Sequence, residues 1–358
     1  MPHPSLRSLW VPLGAGAITA GLVAALITGF GRDGDALRAE DAAPERLHCA
    51  LPPEAPDARQ PGMVWVPGGT LAQGDSVYPE EQPLRQRQVS GFWMDRTEVS
   101  NAEFAAFVAA TGYVTQAEKA LDPSTHPGLP PELLQPGAVV FIRPTDLRHG
   151  GDPRQWWQFV EGANWRHPGG PATQLEGRDQ FPVVAVTVAD AQAYARWKGR
   201  ALPTEAEWEW AARAARPGAA SETEHAQPAA ANTWQGLFPV SNSGADGFVG
   251  LAPVGCYAPN ALGLFDLIGN VWELTADRYT PDHSGADNTP PDSLPPAQRT
   301  PAGPAGSAEG ERYVIKGGSY LCAPNYCMRY RAGARQPQEA DLAASHLGFR
   351  TILRASGP

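Results

Sequence analysis

Four cysteines occur in the chain, and two of them, Cys322 and Cys327, stand five positions apart in KGGSYLCAPNYCMRYR. On an extended strand such a pair lies about 17 Å apart on opposite faces. The thiols therefore meet only if the backbone turns between them. Pro324-Asn325 supplies that turn, because Pro suits the second turn position and Asn tolerates the third. Converging thiols allow a disulfide closing a very small loop, a metal or redox pair that suits a soft, low-coordinate ion such as Cu(I), or two unpaired groups. The spacing is not C-x-x-C, and no further Cys or Cys-His cluster stands out to complete a zinc set. Spacing alone leaves the three outcomes open.

Other polar residues carry weaker signals. His167, in GANWRHPGGP, reads first as a loop histidine making structural hydrogen bonds. Two Gly-rich loops carry acids: ANTWQGLFPVSNSGADGF holds Asn232 and Asp246, and FDLIGNVWE holds Asp266 and Glu273. Calcium takes oxygens from carboxylates, amides and irregular backbone, yet neither loop follows the EF-hand pattern, and on spacing these are turn residues. GxGxxG after a strand, GxxxxGK[ST], GxSxG and HExxH are all missing, which removes the common nucleotide, hydrolase and zinc-protease signatures.

The elements that must position these residues announce themselves locally. Capping boxes, in which Ser or Thr is matched by an acid three positions later, open three helices. Ser100 with Glu103 opens one that closes at Gly112. Thr187 with Asp190 opens a second, closing at Gly199, and Thr204 with Glu207 a third, stopping before Pro217. Phe104, Phe107 and Val108 share one helical face, as do Trp208, Ala211 and Ala212, and both sets predict core packing. MVWVPGG predicts a strand from Met63 and a tight turn. Residues 114–180 and 217–230 read as loops, and 280–310 as a Pro-rich surface insertion.

The chain has 358 residues with 38 Gly, 37 Pro and 11 Trp. That composition predicts many turns and little regular structure around a Trp-rich core. A net charge of −10 without a basic tail argues against nucleic acid as a partner. Residues 9–30 form an uncharged stretch of about 22 residues, long enough to span a bilayer. Arg7 precedes it and acids dominate the segment after it, so the N-terminus is expected to stay in the cytoplasm while the rest is exported. The segment serves as an anchor or, if cleaved, as a signal. The expected organisation is a membrane anchor or signal segment over 1–30, a flexible linker over 31–60, and a catalytic domain over 61–355. Cys49, in the linker, has no evident partner.

With these residues in view, the sequence over about 63–354 resembles the formylglycine-generating enzymes, or sulfatase-modifying factors. MVWVPGG, MDRTEVSNAEF, RALPTEAEWEWAAR, GLFDLIGNVWEL and LGFR are shared across the wider superfamily. GANWRHPGGP, ANTWQGLFPVSNSGADGF and GGSYLCAPNYCMRYRAGAR are more specific. The resemblance implies a single compact α+β domain of the sulfatase-modifying-factor, C-type-lectin-like type, low in regular secondary structure. It implies O2-using oxidation of a cysteine in a C-x-P-x-R motif of a sulfatase polypeptide to Cα-formylglycine. Cys322 and Cys327 match the thiolates that hold Cu(I), Ser319 and Trp272 match residues lining the O2 site, and Tyr326 matches a pocket tyrosine. Two structural Ca2+ sites are implied. Asn232, Thr233, Asp246 and Phe248 match the first, and Asp266, Gly269, Val271 and Glu273 the second. Glu98, Trp165, Arg166, His167 and His346 lie in segments that contribute to peptide binding in relatives. His346 stands where Asn is often found, and Thr351 replaces a cysteine that forms a disulfide in some relatives. Arg329, Arg331 and Arg335 are structural ion-pair residues or substrate contacts. The family implies no role for Cys49 or Cys256. A monomer is expected, touching the membrane only through its N-terminal segment. A non-catalytic superfamily member binding a protein or glycan is the alternative. An iron-dependent oxidase of thiol-histidine metabolism would need a histidine cluster that the sequence does not show.

Overall fold

The computed structural model describes residues 49, 51, 59–144, 152–213, 227–228, 231–284 and 311–354. The apolar segment 9–30, most of the linker and most of the insertion at 280–310 lie outside the described residues. Among the described residues, no helix is long and apolar enough to cross a membrane.

Each capping box opens a helix. In α1, Asn101–Thr111, the Ser100 hydroxyl accepts from the Glu103 N–H, while the Glu103 carboxylate accepts from the Ser100 N–H at 2.9 Å. Gly112 ends α1 in the left-handed conformation, φ 66°, where a Cβ is costly. α2, Val188–Trp197, starts behind Thr187 and Asp190 in the same way. α3, Glu205–Arg213, starts behind Thr204 and Glu207. The apolar faces pack as their spacing predicts. Phe104 and Phe107 are buried with Tyr194, Trp165 and Phe349, and Trp208 and Ala211 are buried with Val66, Met94 and Ile352.

The strands are short: β1 Met63–Val66, β2 Gly69–Gln73, β3 Arg85–Val89, β4 Phe92–Asp95, β5 Gly137–Phe141, β6 Trp157–Glu161, β7 Trp272–Arg278, β8 Arg312–Lys316, β9 Gln336–Glu339, β10 Leu347–Gly348 and β11 Ile352–Arg354. They form two sheets, ordered β1-β4-β11 and β10-β7-β8-β9, and two antiparallel pairs, β2-β3 and β5-β6. Among the described strands only β10 runs parallel to its neighbour, β7, with Leu347 beside Trp272. The β5-β6 pair corrects the reading of 114–180 as loop. GAVVF and WQFVE pair antiparallel, with Phe141 opposite Trp157. The segment between them, RPTDLRHGGDPRQ, carries turn residues, but neither strand shows a clean polar-apolar alternation, so local pattern does not mark them as strands.

The linker reading also changes. Cys49 pairs with Cys256 in a disulfide, their Cα atoms 4.6 Å apart. Leu51 reaches the backbone of Gly255, where an added Cβ would collide with it. The chain before β1 is thus fastened to the domain at residue 49.

Candidate active site

Strand β8 delivers the cysteine segment. Its last residue, Lys316, is opposite Glu273 on β7. Gly317 and Gly318 follow with φ of 93° and 76°. A Cβ on Gly317 would sit 2.7 Å from the Leu267 carbonyl oxygen, so glycine is required there for space as well as for conformation. A turn over Ala323-Pro324-Asn325-Tyr326 closes with paired bonds: the Ala323 N–H donates to the Tyr326 carbonyl at 2.7 Å, and the Tyr326 N–H to the Ala323 carbonyl at 2.9 Å. The turn brings the Cα atoms of Cys322 and Cys327 to 4.8 Å, and the two sulfurs form a disulfide. Cys327 adopts φ 55°, an uncommon conformation for a side-chain-bearing residue. The Ser319 N–H donates to Cys322 Sγ at 3.4 Å, and the Leu321 N–H donates to Ser319 Oγ at 3.3 Å.

The cysteine turn forms one wall of a cavity of about 140 Å³, lined by Trp157, Trp272, Ser319, Leu321, Tyr326, Cys327, Arg329, Gln336 and His346. That volume suits a single side chain, well below the several hundred Å³ of a pocket for a drug-sized ligand. Cys322 is fully buried behind Cys327. All five residues predicted as catalytic therefore gather at one place. Tyr326 is fixed by Phe238, whose ring stacks on it at 4.1 Å and 6°. His346 packs against Trp157 with ring centroids 4.6 Å apart. Its Nδ1 is buried without a hydrogen-bond partner, and burial pushes the imidazole down to about 4. The ring is neutral at physiological pH.

The other predicted substrate contacts are placed differently. Trp165 is core, 3% exposed, with its ring edge-on to Phe104. Arg166 lies over Trp165 at 4.2 Å and pairs with Glu118. His167 Nδ1 bonds to the Thr173 carbonyl at 2.6 Å, the structural use that its loop position suggests. None of the three lines the cavity. Glu98 is corrected outright. It has no exposed surface for a peptide, and its Oε1 accepts from Asn270 Nδ2 at 3.1 Å. Trp157 and Gln336 were missed, because nothing in their local sequence points to the cysteines; Leu321, next to Cys322 in sequence, was missed because an apolar neighbour carries no chemical signal of its own. Arg331 pairs with Asp75 and Glu81, and Arg335 with Glu205, so both are structural ion-pair residues. Arg329 pairs with Glu80 and also lines the cavity.

The predicted calcium residues fall into two clusters. Asp246 accepts from the N–H groups of Thr233 and Phe248 at 3.0 and 3.3 Å, and burial pushes its carboxyl up. Asn232 donates to the Gly250 carbonyl and to Asn270 Oδ1. In the second cluster Asp266 accepts from the Gly255 N–H at 2.5 Å. Glu273 holds Arg350 at 2.7 Å through both oxygens and accepts from the Trp208 indole. Glu98 belongs here. Burial, then the Asp266 charge, pushes its carboxyl well up, and its Oε2 has no partner. Three buried acids thus gather around one guanidinium, which of the three only Glu273 bonds, so the acids outnumber the cations that could pair with them. Among the described residues no three His, Cys, Asp or Glu side chains are grouped to hold a metal by themselves.

Comparison with known proteins places this geometry in a family. The sulfatase-modifying factor enzyme 1-like domain matches residues 48–355. The chain is 47% identical to a protein named Formylglycine-generating enzyme from Mycobacterium tuberculosis, over 81% of this chain and 97% of that one. It is 34% identical to a protein of Mus musculus named Inactive C-alpha-formylglycine-generating enzyme 2, over 84% of this chain and 88% of that one. The structure of PvdO from Pseudomonas aeruginosa superposes with a TM-score of 0.53 at 23% identity, covering 82% of this chain and 94% of that one, which supports the compact α+β fold. The cysteine turn and its cavity are therefore those of a chain that belongs to the sulfatase-modifying factor enzyme 1-like family.

Proposed function

We propose that this protein oxidises a cysteine of a sulfatase to Cα-formylglycine, with O2 as oxidant and copper held between Cys322 and Cys327; the substrate sulfur leaves as sulfide, and an external thiol, itself oxidised to a disulfide, supplies the two further electrons that take O2 to water. The observation that carries the reading is the convergence of the two thiols at the wall of a side-chain-sized cavity. The donor set fits Cu(I): two sulfurs, no grouped third ligand from the chain, and an adjoining space for an incoming thiol. When bound, copper supplies the one-electron chemistry with O2 that amino-acid side chains lack. The disulfide and the ion compete for one pair of sulfurs, so reduction precedes loading.

The chain's own residues prepare the site. The Ser319 N–H donates to Cys322 Sγ, which favours the thiolate over the thiol. Trp272 and Leu321 give the cavity apolar surface that limits water around the bound cysteine. His346, neutral and half-buried, and Tyr326 offer polar contacts at the wall. The C-x-P-x-R motif is the proposed substrate sequence. Structural Ca2+ is proposed for both acid-bearing clusters, and the acid excess around Glu98, Asp266 and Glu273 supports the second. The Cys49–Cys256 disulfide supports an exported domain, since such bonds persist in oxidising compartments.

The test uses the reduced protein with Cu(I), O2, an excess of a small thiol and a C-x-P-x-R peptide, read by mass spectrometry for the aldehyde. Native protein should give aldehyde and Cys322→Ser none. Equal yields, or no aldehyde from native protein, would overturn the catalytic reading. The relative named inactive makes peptide binding without conversion the competing outcome of the same assay.

A further inference from the structure

Trp157 stands on β6, opposite Phe141 on β5, and makes two contacts inside the cavity wall. Its indole Nε1–H donates to the Tyr326 hydroxyl at 3.2 Å, across 169 positions of sequence. Its ring packs on His346. All three residues line the same cavity. The Tyr326 ring is locked by Phe238 stacked on its face. Phe238 is locked in turn by Asn325, which accepts from the Phe238 N–H at 3.2 Å and donates to its carbonyl at 2.8 Å.

An indole N–H is a donor only, whereas a phenol has one hydrogen and two lone pairs. Because Tyr326 accepts from Trp157, its own hydrogen must point elsewhere. Among the described residues it has no second partner. Resting on the sulfatase-cysteine reading above, we infer that Trp157 is a positioning residue that sets Tyr326 as a hydrogen-bond donor to an acceptor of the bound cysteine peptide, its sulfur or a neighbouring carbonyl. Without the indole N–H, the phenol is free to turn its hydrogen away from the peptide.

Trp157→Phe keeps an aromatic ring against His346 and removes the donor along with the second ring of the indole, which is why the double variant rather than the single one decides. With the C-x-P-x-R peptide, Trp157→Phe should lower kcat/KM about tenfold, the worth of one hydrogen bond. Tyr326→Phe should do at least as much. The double variant should be no worse than Tyr326→Phe alone, because the indole acts only through the phenol. The same cycle, repeated on binding of a peptide with Ser in place of the reactive Cys, should show the same pattern in Kd. Ultraviolet resonance Raman reports indole hydrogen bonding, and the Trp157 component, isolated from the other ten tryptophans as the difference between native and Trp157→Phe, should shift in Tyr326→Phe. A native-like Trp157→Phe, losses that multiply in the double variant, or an unshifted indole signal each overturn the inference, as does native protein that binds no peptide. Thermal midpoints close to native in the single variants keep a folding defect from imitating the result. Native protein that binds the Ser peptide yet makes no aldehyde overturns the catalytic reading alone and leaves the binding cycle to judge Trp157.

Discussion

Gly317 and Gly318 join β8 to the cysteine turn through two successive left-handed residues. Gly317→Ala combines a disfavoured conformation with a backbone collision at Leu267. It should destabilise the fold by about 1–3 kcal/mol, read as a lower urea midpoint. Cys327 bears the same conformational cost with a side chain attached. Of two variants that both lack its thiol, Cys327→Gly should be more stable than Cys327→Ala by about 0.5–1 kcal/mol. Equal stabilities would show that the surrounding turn already absorbs the strain. At this scale the sequence was readable where chemistry is local. The Pro324-Asn325 turn follows from residue types alone, and the structure closes it as predicted. Glu98 was misread because neighbourhood in sequence does not tell which way a side chain points. Trp157 was invisible because its partner lies 169 positions away.

The cysteine segment is held as an element by a buried ion cluster. Lys316, at its start, and Arg335, at its end, both pair with Glu205 at the N-terminus of α3, and His283 joins them. Glu209, one turn further along α3, takes a second contact from Lys316 at 3.1 Å. Burial pushes the Glu205 carboxyl up, but Lys316, His283 and Arg335 outweigh it and hold the group near 2, against 4.5 for a free one. Between those values the unfolded chain binds the proton and the fold does not. Stability is therefore lost as pH falls from about 4.5 to about 2. Glu205→Gln should cost about 3–5 kcal/mol at neutral pH, because two buried cations lose a shared counter-ion. That deficit against native should shrink at pH 3, where groups common to both proteins cancel. Urea unfolding of the pair at pH 7 and pH 3 checks it, and a constant deficit would remove the electrostatic account. Helix boundaries were legible because a capping box lies within four residues. The ion cluster was not, because it is made by segments far apart in the chain, and the β5-β6 pair was not, because its strands lack a clean period-2 pattern.

For the molecule as a whole, the two disulfides close rings of very different size, with sequence separations of 5 and 207. In the chain-entropy description the larger ring constrains the unfolded state far more. Cys256→Ser should therefore lower stability by about 2–5 kcal/mol while leaving the cysteine turn in place. A protein with an unchanged melting temperature would mean that the staple adds nothing to the fold. Trypsin offers a direct view, because cleavage after the exposed Arg59 should leave both fragments together until a reductant separates them. The staple also moves the point at which the chain effectively leaves the domain from residue 59 to residue 49. A truncation between them discards Cys49, one of the two cysteines of the staple, and strands Cys256 as a lone thiol. An affinity tag or protease site meant to be removed cleanly therefore belongs before Cys49.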